Sequence, residues 1–150
     1  VSQRATQSLV VHAPPDVVYA VVTDFENYFA WVSDLKRIEV LERDGEGRPV
    51  EIDFRAAAFG RSTTYGLRYD YSRAPTVLAW SQTHGDLTSF LRGQYRFEPS
   101  GEETLVTYDL EVELRVPIPA FVRSRAASRI QTQALRELKA RAEARVMGRE

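Results

Sequence analysis

The chain has 150 residues, 43% of them hydrophobic and 27% charged, with a formal net charge of -1, which is the composition of an ordinary soluble globular protein. That length fits a single domain over residues 1–150, burying roughly two thirds of its unfolded surface, and the near-neutral balance favours neither nucleic acid nor an anionic membrane. There is no cysteine and only two histidines, far apart, which excludes disulfides and thiol chemistry and argues against zinc. No apolar run reaches the roughly 18 to 20 residues of a membrane span, and no basic-then-apolar leader is present, so a cytoplasmic location without cofactor is expected.

Residues 6–13 alternate β-branched and apolar side chains and stop at Pro14-Pro15, predicting a first strand. A helix follows, with Pro15 and Asp16 in its first turn and Val18, Tyr19, Val22 and Phe25 at helical spacing. Thr23-Asp24-Phe25-Glu26 matches a capping box and predicts a second short helix, which runs into the aromatic cluster Tyr28, Phe29 and Trp31. From Leu35 the period becomes two. Ile38 and Val40, then Val50, Ile52, Phe54 and Ala56, give a hairpin with one apolar face, turned at residues 44–47. After a turn at Phe59-Gly60, Thr63, Tyr65, Leu67, Tyr69 and Tyr71 face inward on the next strand. Residues 76–84 form another, where Val77 and Ala79 compete with Leu78 and Trp80 for the inner face and Trp80 is assigned to it. Leu91, Gly93, Tyr95 and Phe97 share the inner face of the sixth strand, and Val106, Tyr108, Leu110 and Val112 that of the seventh. Short turns imply antiparallel neighbours, and one polar face implies a sheet covered on one side.

Pro117-Ile118-Pro119 marks the start of a last, long helix over 119–146. Ala120, Ala127, Ile130, Ala134, Leu138 and Ala142 gather on one side; Arg125, Arg129, Arg136, Lys139 and Glu143 gather opposite. A face made largely of methyl groups, laid on a concave sheet, leaves volume unfilled and predicts a cavity.

The phrases Ala13-Pro14-Pro15-Asp16-Val17-Val18-Tyr19, Asp24-Phe25-Glu26-Asn27-Tyr28 and Trp31 resemble the opening of the polyketide cyclase/dehydrase-like branch of the START-related superfamily. Leu78-Ala79-Trp80, Gly85-Asp86, Gly93 to Pro99, Thr104 to Tyr108 and Pro117-Ile118-Pro119 match its later half in order. The resemblance covers nearly the whole chain and implies an α+β helix-grip fold: seven antiparallel strands curved around the C-terminal helix, with two short helices between strands 1 and 2. It does not select an activity, because the superfamily includes aromatases/cyclases, lipid carriers, quinone-binding proteins and hormone receptors.

The inward set supplies a mainly apolar pocket with sparse hydrogen-bonding groups. Its expected lining is Phe54, Thr63, Tyr65, Tyr69, Trp80, Gln82, Tyr95 and Tyr108 from the sheet, and Ser124, Ala127 and Gln131 from the helix; Trp31 either closes the pocket mouth from the helix loop or staples that loop to the sheet. Inward tyrosines also serve as plain core residues with the hydroxyl at a rim or on water. Arg61 and Arg123 could hold an anionic head group or enolate, or lie in solvent. His84 is the candidate catalytic residue, moving a proton in ring closure or loss of water; the competing reading is a solvent-facing histidine at a strand end. His12 is expected to be outward and structural. Glu137 and Glu143, interleaved with the arginines, and the absence of exposed aromatics predict a solvated outer helix face, with no membrane insertion and no nucleic acid. No triad, phosphate loop or metal motif is visible. The functional expectation is a lipophilic aromatic, polyketide-like or lipid ligand, bound by a monomer or weak homodimer and either held unchanged or cyclised or dehydrated. An isoprenoid-quinone or lipid carrier and a ribosome-associated interaction module are the alternatives.

Overall fold

The computed structural model describes residues 2–58, 60–115 and 118–148; Phe59 of the expected turn and Pro117 of the Pro-Ile-Pro segment lie outside them. Seven strands form one antiparallel sheet: β1 (Gln3–Val11), β2 (Leu35–Arg43), β3 (Pro49–Ala58), β4 (Arg61–Asp70), β5 (Val77–Gly85), β6 (Thr88–Ser100) and β7 (Glu103–Leu114). Their order is β1-β7-β6-β5-β4-β3-β2. Hairpins therefore join every consecutive pair from β2 to β7, and β1 pairs with β7 in an unbroken register from Gln3↔Val112 to Val11↔Thr104.

Helix α1 (Pro15–Thr23) and a 3₁₀ helix (Phe25–Ala30) bridge β1 and β2; α2 (Ala120–Arg123) and α3 (Ala126–Val146) end the described chain. α3 lies on β1 and β7, and α1 wedges against α3 and β6. The alternation decides which sheet face they cover. Ile52, Phe54, Leu67, Tyr69, Leu78, Trp80, Tyr95, Phe97, Val106, Tyr108, Leu110 and Val112 are buried on the concave face. On the convex face, Arg68 reaches Glu42 and Glu51, and Arg92 reaches Glu111. Such exposed pairs contribute at most about 1 kcal/mol each, so the asymmetry of burial, at roughly 1.5–3 kcal/mol per buried large side chain, holds the sheet's orientation.

Three local expectations are corrected. The capping box does not form: Thr23 Oγ1 donates back to the Tyr19 carbonyl at 2.8 Å, as helical threonines do, and Asp24 instead precedes the 3₁₀ helix without capping it through its side chain. The terminal helix is two helices, because Arg125 takes φ -114° and ψ 4°. The break uncouples the phase of α2 from that of α3, which leaves Ala120 exposed. The buried stripe of α3 is then Ala126, Ala127, Gln131, Leu135, Leu138 and Ala142, with Ile130 and Ala134 half-buried.

Candidate ligand-binding site

On the concave face the aromatic side chains form one connected assembly. Phe54 stacks on Tyr65 across the β3–β4 pair, centroids 5.3 Å apart. Trp80 stands at the centre, 6.1 Å from Tyr69, 5.2 Å from Tyr95 and 5.6 Å from Tyr108, and Tyr95 meets Tyr108 at 4.7 Å. Register explains the grouping: Tyr69↔Trp80 and Tyr95↔Tyr108 are directly opposed cross-strand pairs and so share a face. Trp80 also pairs with Gly93, and the indole lies over that glycine. From the other side the 3₁₀ helix lowers Phe25 onto Tyr69 at 4.6 Å, and Tyr28 packs against both Phe25 and Trp31. The sequence marks Phe25 only as a helical apolar position; its place in the site depends on the chain folding back after α1.

The hydroxyls of this cluster divide in two. Tyr28 donates to the Val22 carbonyl and Tyr71 to that of Pro49, so these phenols serve the fold. Among the described residues, Tyr65, Tyr69, Tyr95 and Tyr108 make no hydrogen bond to protein, yet none of their oxygens is sealed off as a buried, unpaired atom. Each oxygen therefore keeps some accessible surface, which is how an unpaired phenol is tolerated in a core.

Burial pushes the Tyr65 phenol up to about 12. Tyr69, Tyr95 and Tyr108 are raised further, by burial first, with neighbouring phenols adding to the shift at Tyr69 and Tyr108. All four therefore remain neutral donors at any physiological pH. The linkage has a definite sign. Unfolded tyrosines ionise near 10 while these stay protonated in the fold, so the unfolded state binds fewer protons and stability falls as pH rises from about 10 towards 12. An alkaline titration is expected to show tyrosinate absorbance appearing cooperatively with loss of structure; gradual ionisation of these phenols in a folded chain would contradict the burial.

The remaining expected residues are scattered. Thr63 is inward and buried, but its hydroxyl donates to Asp86 Oδ1 at 2.5 Å, while Asp86 Oδ2 accepts the Thr64 N–H at 3.0 Å. These bonds, that from Thr63 first, hold the Asp86 carboxyl below the usual range and tie the β5–β6 turn to β4. Gln82 spends both ends of its amide on Thr88. Arg61, Arg123 and Ser124 are exposed, with Ser124 Oγ donating to the Phe121 carbonyl at 3.2 Å. Ala127 is buried against the core. Gln131 is fully buried, and its amide nitrogen donates to the Ala5 and Tyr108 carbonyls at 2.8 Å each, clamping α3 to β1 and β7, while its amide oxygen is buried without a protein partner.

His84 is on the other side of the sheet from the tyrosines. β5 carries an irregularity opposite Gly66–Leu67, so strict alternation from Trp80 fails after Gln82. The imidazole instead crosses Gly66 on the convex face to Asp53, Nε2 to Oδ1 2.8 Å, with half of the side chain exposed. Asp86, two residues on, is engaged with Thr63 and Thr64 instead. His12 is exposed, with Nδ1 on Glu103.

A concave antiparallel sheet closed by a long helix over an aromatic interior defines the helix-grip fold. Residues 2–143 match the family model described as polyketide cyclase / dehydrase and lipid transport, and the chain belongs to that family. A START superfamily protein from Mycobacterium smegmatis shares the fold with a TM-score of 0.86 at 24% identity, over 93% of this chain and 97% of that one. The Zhui aromatase/cyclase from Streptomyces sp. R1128 superposes with a TM-score of 0.84 at 21% identity, covering 97% and 96% respectively. The di-domain aromatase/cyclase StfQ of the steffimycin pathway gives 0.79 at 17% identity; this chain covers 52% of it. No curated protein matches the sequence. Among the described residues no helix is long and apolar enough to cross a membrane.

Proposed function

We propose that this chain binds a lipophilic, aromatic or polyketide-like molecule between the concave sheet and α3, and that it recognises acceptor oxygens on that molecule. The observation that carries this reading is the set of four tyrosine hydroxyls without protein partners on the concave face, Tyr65, Tyr69, Tyr95 and Tyr108, three of whose rings meet Trp80. Rings supply apolar and stacking surface, and neutral phenols donate to carbonyls. A bound carbonyl compound satisfies both needs at once.

The family and the fold shared with an aromatase/cyclase support a second reading, in which the same donors hold a flexible polyketone folded for ring closure. His84, on the convex face with Asp53, is not placed to move the proton. Binding without turnover is therefore the simpler function, with a quinone or lipid carrier as its nearest form.

Purification from the native host followed by native mass spectrometry is expected to find a carbonyl-bearing hydrophobic ligand at up to one per chain; a fatty acid or nothing after gentle isolation argues against this specificity. Tyr95→Phe and Tyr108→Phe are each expected to leave thermal stability nearly unchanged, because no protein hydrogen bond is lost, while weakening ligand binding about tenfold. His84→Ala is expected to change affinity by less than about twofold, since it removes only an exposed pair. Equal affinity in the two Tyr variants and the parent sinks the donor role.

A further inference from the structure

Two features of the sequence favoured a plain solvated outer face on the terminal helix: interleaved acids and no exposed aromatic. The structure alters both. Glu143 is taken up by Lys139 and the His12 N–H, and Glu137 accepts the Ser33 N–H at 3.1 Å. Phe121 on α2 is 73% exposed, and Phe29, in the 3₁₀ helix whose continuation carries Ser33, is 51% exposed.

What remains is a strongly one-signed stretch. From residue 114 to residue 136 there is no aspartate or glutamate, while Arg115, Arg123, Arg125, Arg129 and Arg136 fall within it. Elsewhere arginines hold carboxylates, as Arg48, Arg68, Arg92 and Arg96 do. Among the described residues these five make no ion pair or side-chain hydrogen bond. Arg125, at the N-terminal boundary of α3, and Arg129 and Arg136, on one face of it, span roughly 16 Å and line a groove of about 670 Å³ with Ser128, Thr132 and Ser33; Glu137 is the carboxylate of that lining, and Asp34 stands beside it on Gln133.

We propose that this face docks the chain peripherally on an anionic lipid surface, with Phe121 entering the headgroup region and the arginines of α2 and α3 on the phosphates. Charge alone would serve an acidic protein equally well. The exposed phenyl ring of Phe121, two residues before Arg123, favours a bilayer, where cationic side chains stay at the headgroups while an aromatic ring partitions below them. Nothing in this docking depends on what the interior binds, so its failure leaves the ligand reading standing.

The test is flotation of the full chain with vesicles of phosphatidylcholine alone, or with about a third of phosphatidylglycerol. Binding is expected to the anionic vesicles only and to weaken steeply with salt. Arg125→Gln with Arg129→Gln should weaken it about 25-fold, at about fivefold per arginine, and Phe121→Ser about tenfold, with melting temperatures unchanged. No binding to anionic vesicles at low salt, or equal binding to neutral ones, overturns the proposal. So does full binding by Phe121→Ser, which would mark the face as a purely electrostatic surface suited to an acidic protein.

Discussion

Replacing Gln131 with glutamate is expected to leave the chain largely unfolded at neutral pH, although the two side chains are nearly the same size. The Gln131 amide nitrogen donates to the carbonyls of Ala5 on β1 and Tyr108 on β7, each at 2.8 Å, in a fully buried position. A carboxylate there has no proton to give and faces two carbonyl oxygens. The loss combines two unsatisfied acceptors, about 1–3 kcal/mol each, with the several kcal/mol needed to bury an uncompensated charge. Against a total stability of about 5–15 kcal/mol, that sum is decisive. Gln131→Leu separates the contributions, because it forfeits the hydrogen bonds without burying charge and should cost about 2–5 kcal/mol. The glutamate variant should also gain stability, relative to the parent, as pH falls. Its folded-state pKa lies above the ordinary value near 4.3, so the penalty vanishes below that value and is complete once pH exceeds the folded-state pKa. Denaturant unfolding of the three proteins at neutral and acidic pH measures this directly; a glutamate variant as stable as the parent at pH 7 would mean that Gln131 is not the clamp between helix and sheet.

Gln131 also shows where reading from sequence stops. Periodicity places it on the buried side of the helix, and a buried amide beside tyrosines reads as a ligand donor. Only the crossing of α3 over the β1–β7 edge reveals that two backbone carbonyls occupy it. The sheet itself is largely legible, since alternating residues identify their own inner face: Tyr65, Tyr69, Tyr95 and Tyr108 stand on the side that alternation assigns, whereas on β5, where both Val77 and Leu78 are buried, alternation alone does not decide for Trp80. Alternation fails at His84, where the irregularity in β5 carries no sequence mark and inverts the side chain's face. Likewise, helical periodicity runs smoothly through Ser124-Arg125, so the break that exposes Ala120 and Ser124 is invisible to it. Long-range partners of polar groups, as in Thr63 with Asp86 and Gln82 with Thr88, follow from tertiary register and not from composition.

Gly93→Val is expected to destabilise the fold and abolish ligand binding, and Gly93→Ala to do both in smaller measure. Gly93 sits opposite Trp80 on β5 and Leu110 on β7, on the concave face. A Cβ built there would lie 2.7 Å from Trp80 Cζ2 and 2.8 Å from Cε2. These are ring atoms, and the ring has little room to yield, with Tyr95 and Tyr108 beside it and Tyr69 across the strand pair. Overpacking of a filled core costs about 1–3 kcal/mol for one added carbon and more for three. For a chain of this length, the alanine variant should lose roughly 3–10 °C in Tm. The crowded indole is also the centre of the proposed site, so straining it disturbs the aromatic wall it forms with Tyr69, Tyr95 and Tyr108. Ligand affinity is then expected to fall further than stability alone explains, when measured well below the Tm. A double-mutant cycle isolates the cause: in a Trp80→Phe background the smaller ring leaves space over position 93, and Gly93→Ala should there cost less than about 0.5 kcal/mol. An alanine variant that is harmless in the parent would show that Trp80 is free to swing away, and with it the fixed aromatic wall on which recognition between sheet and helix depends.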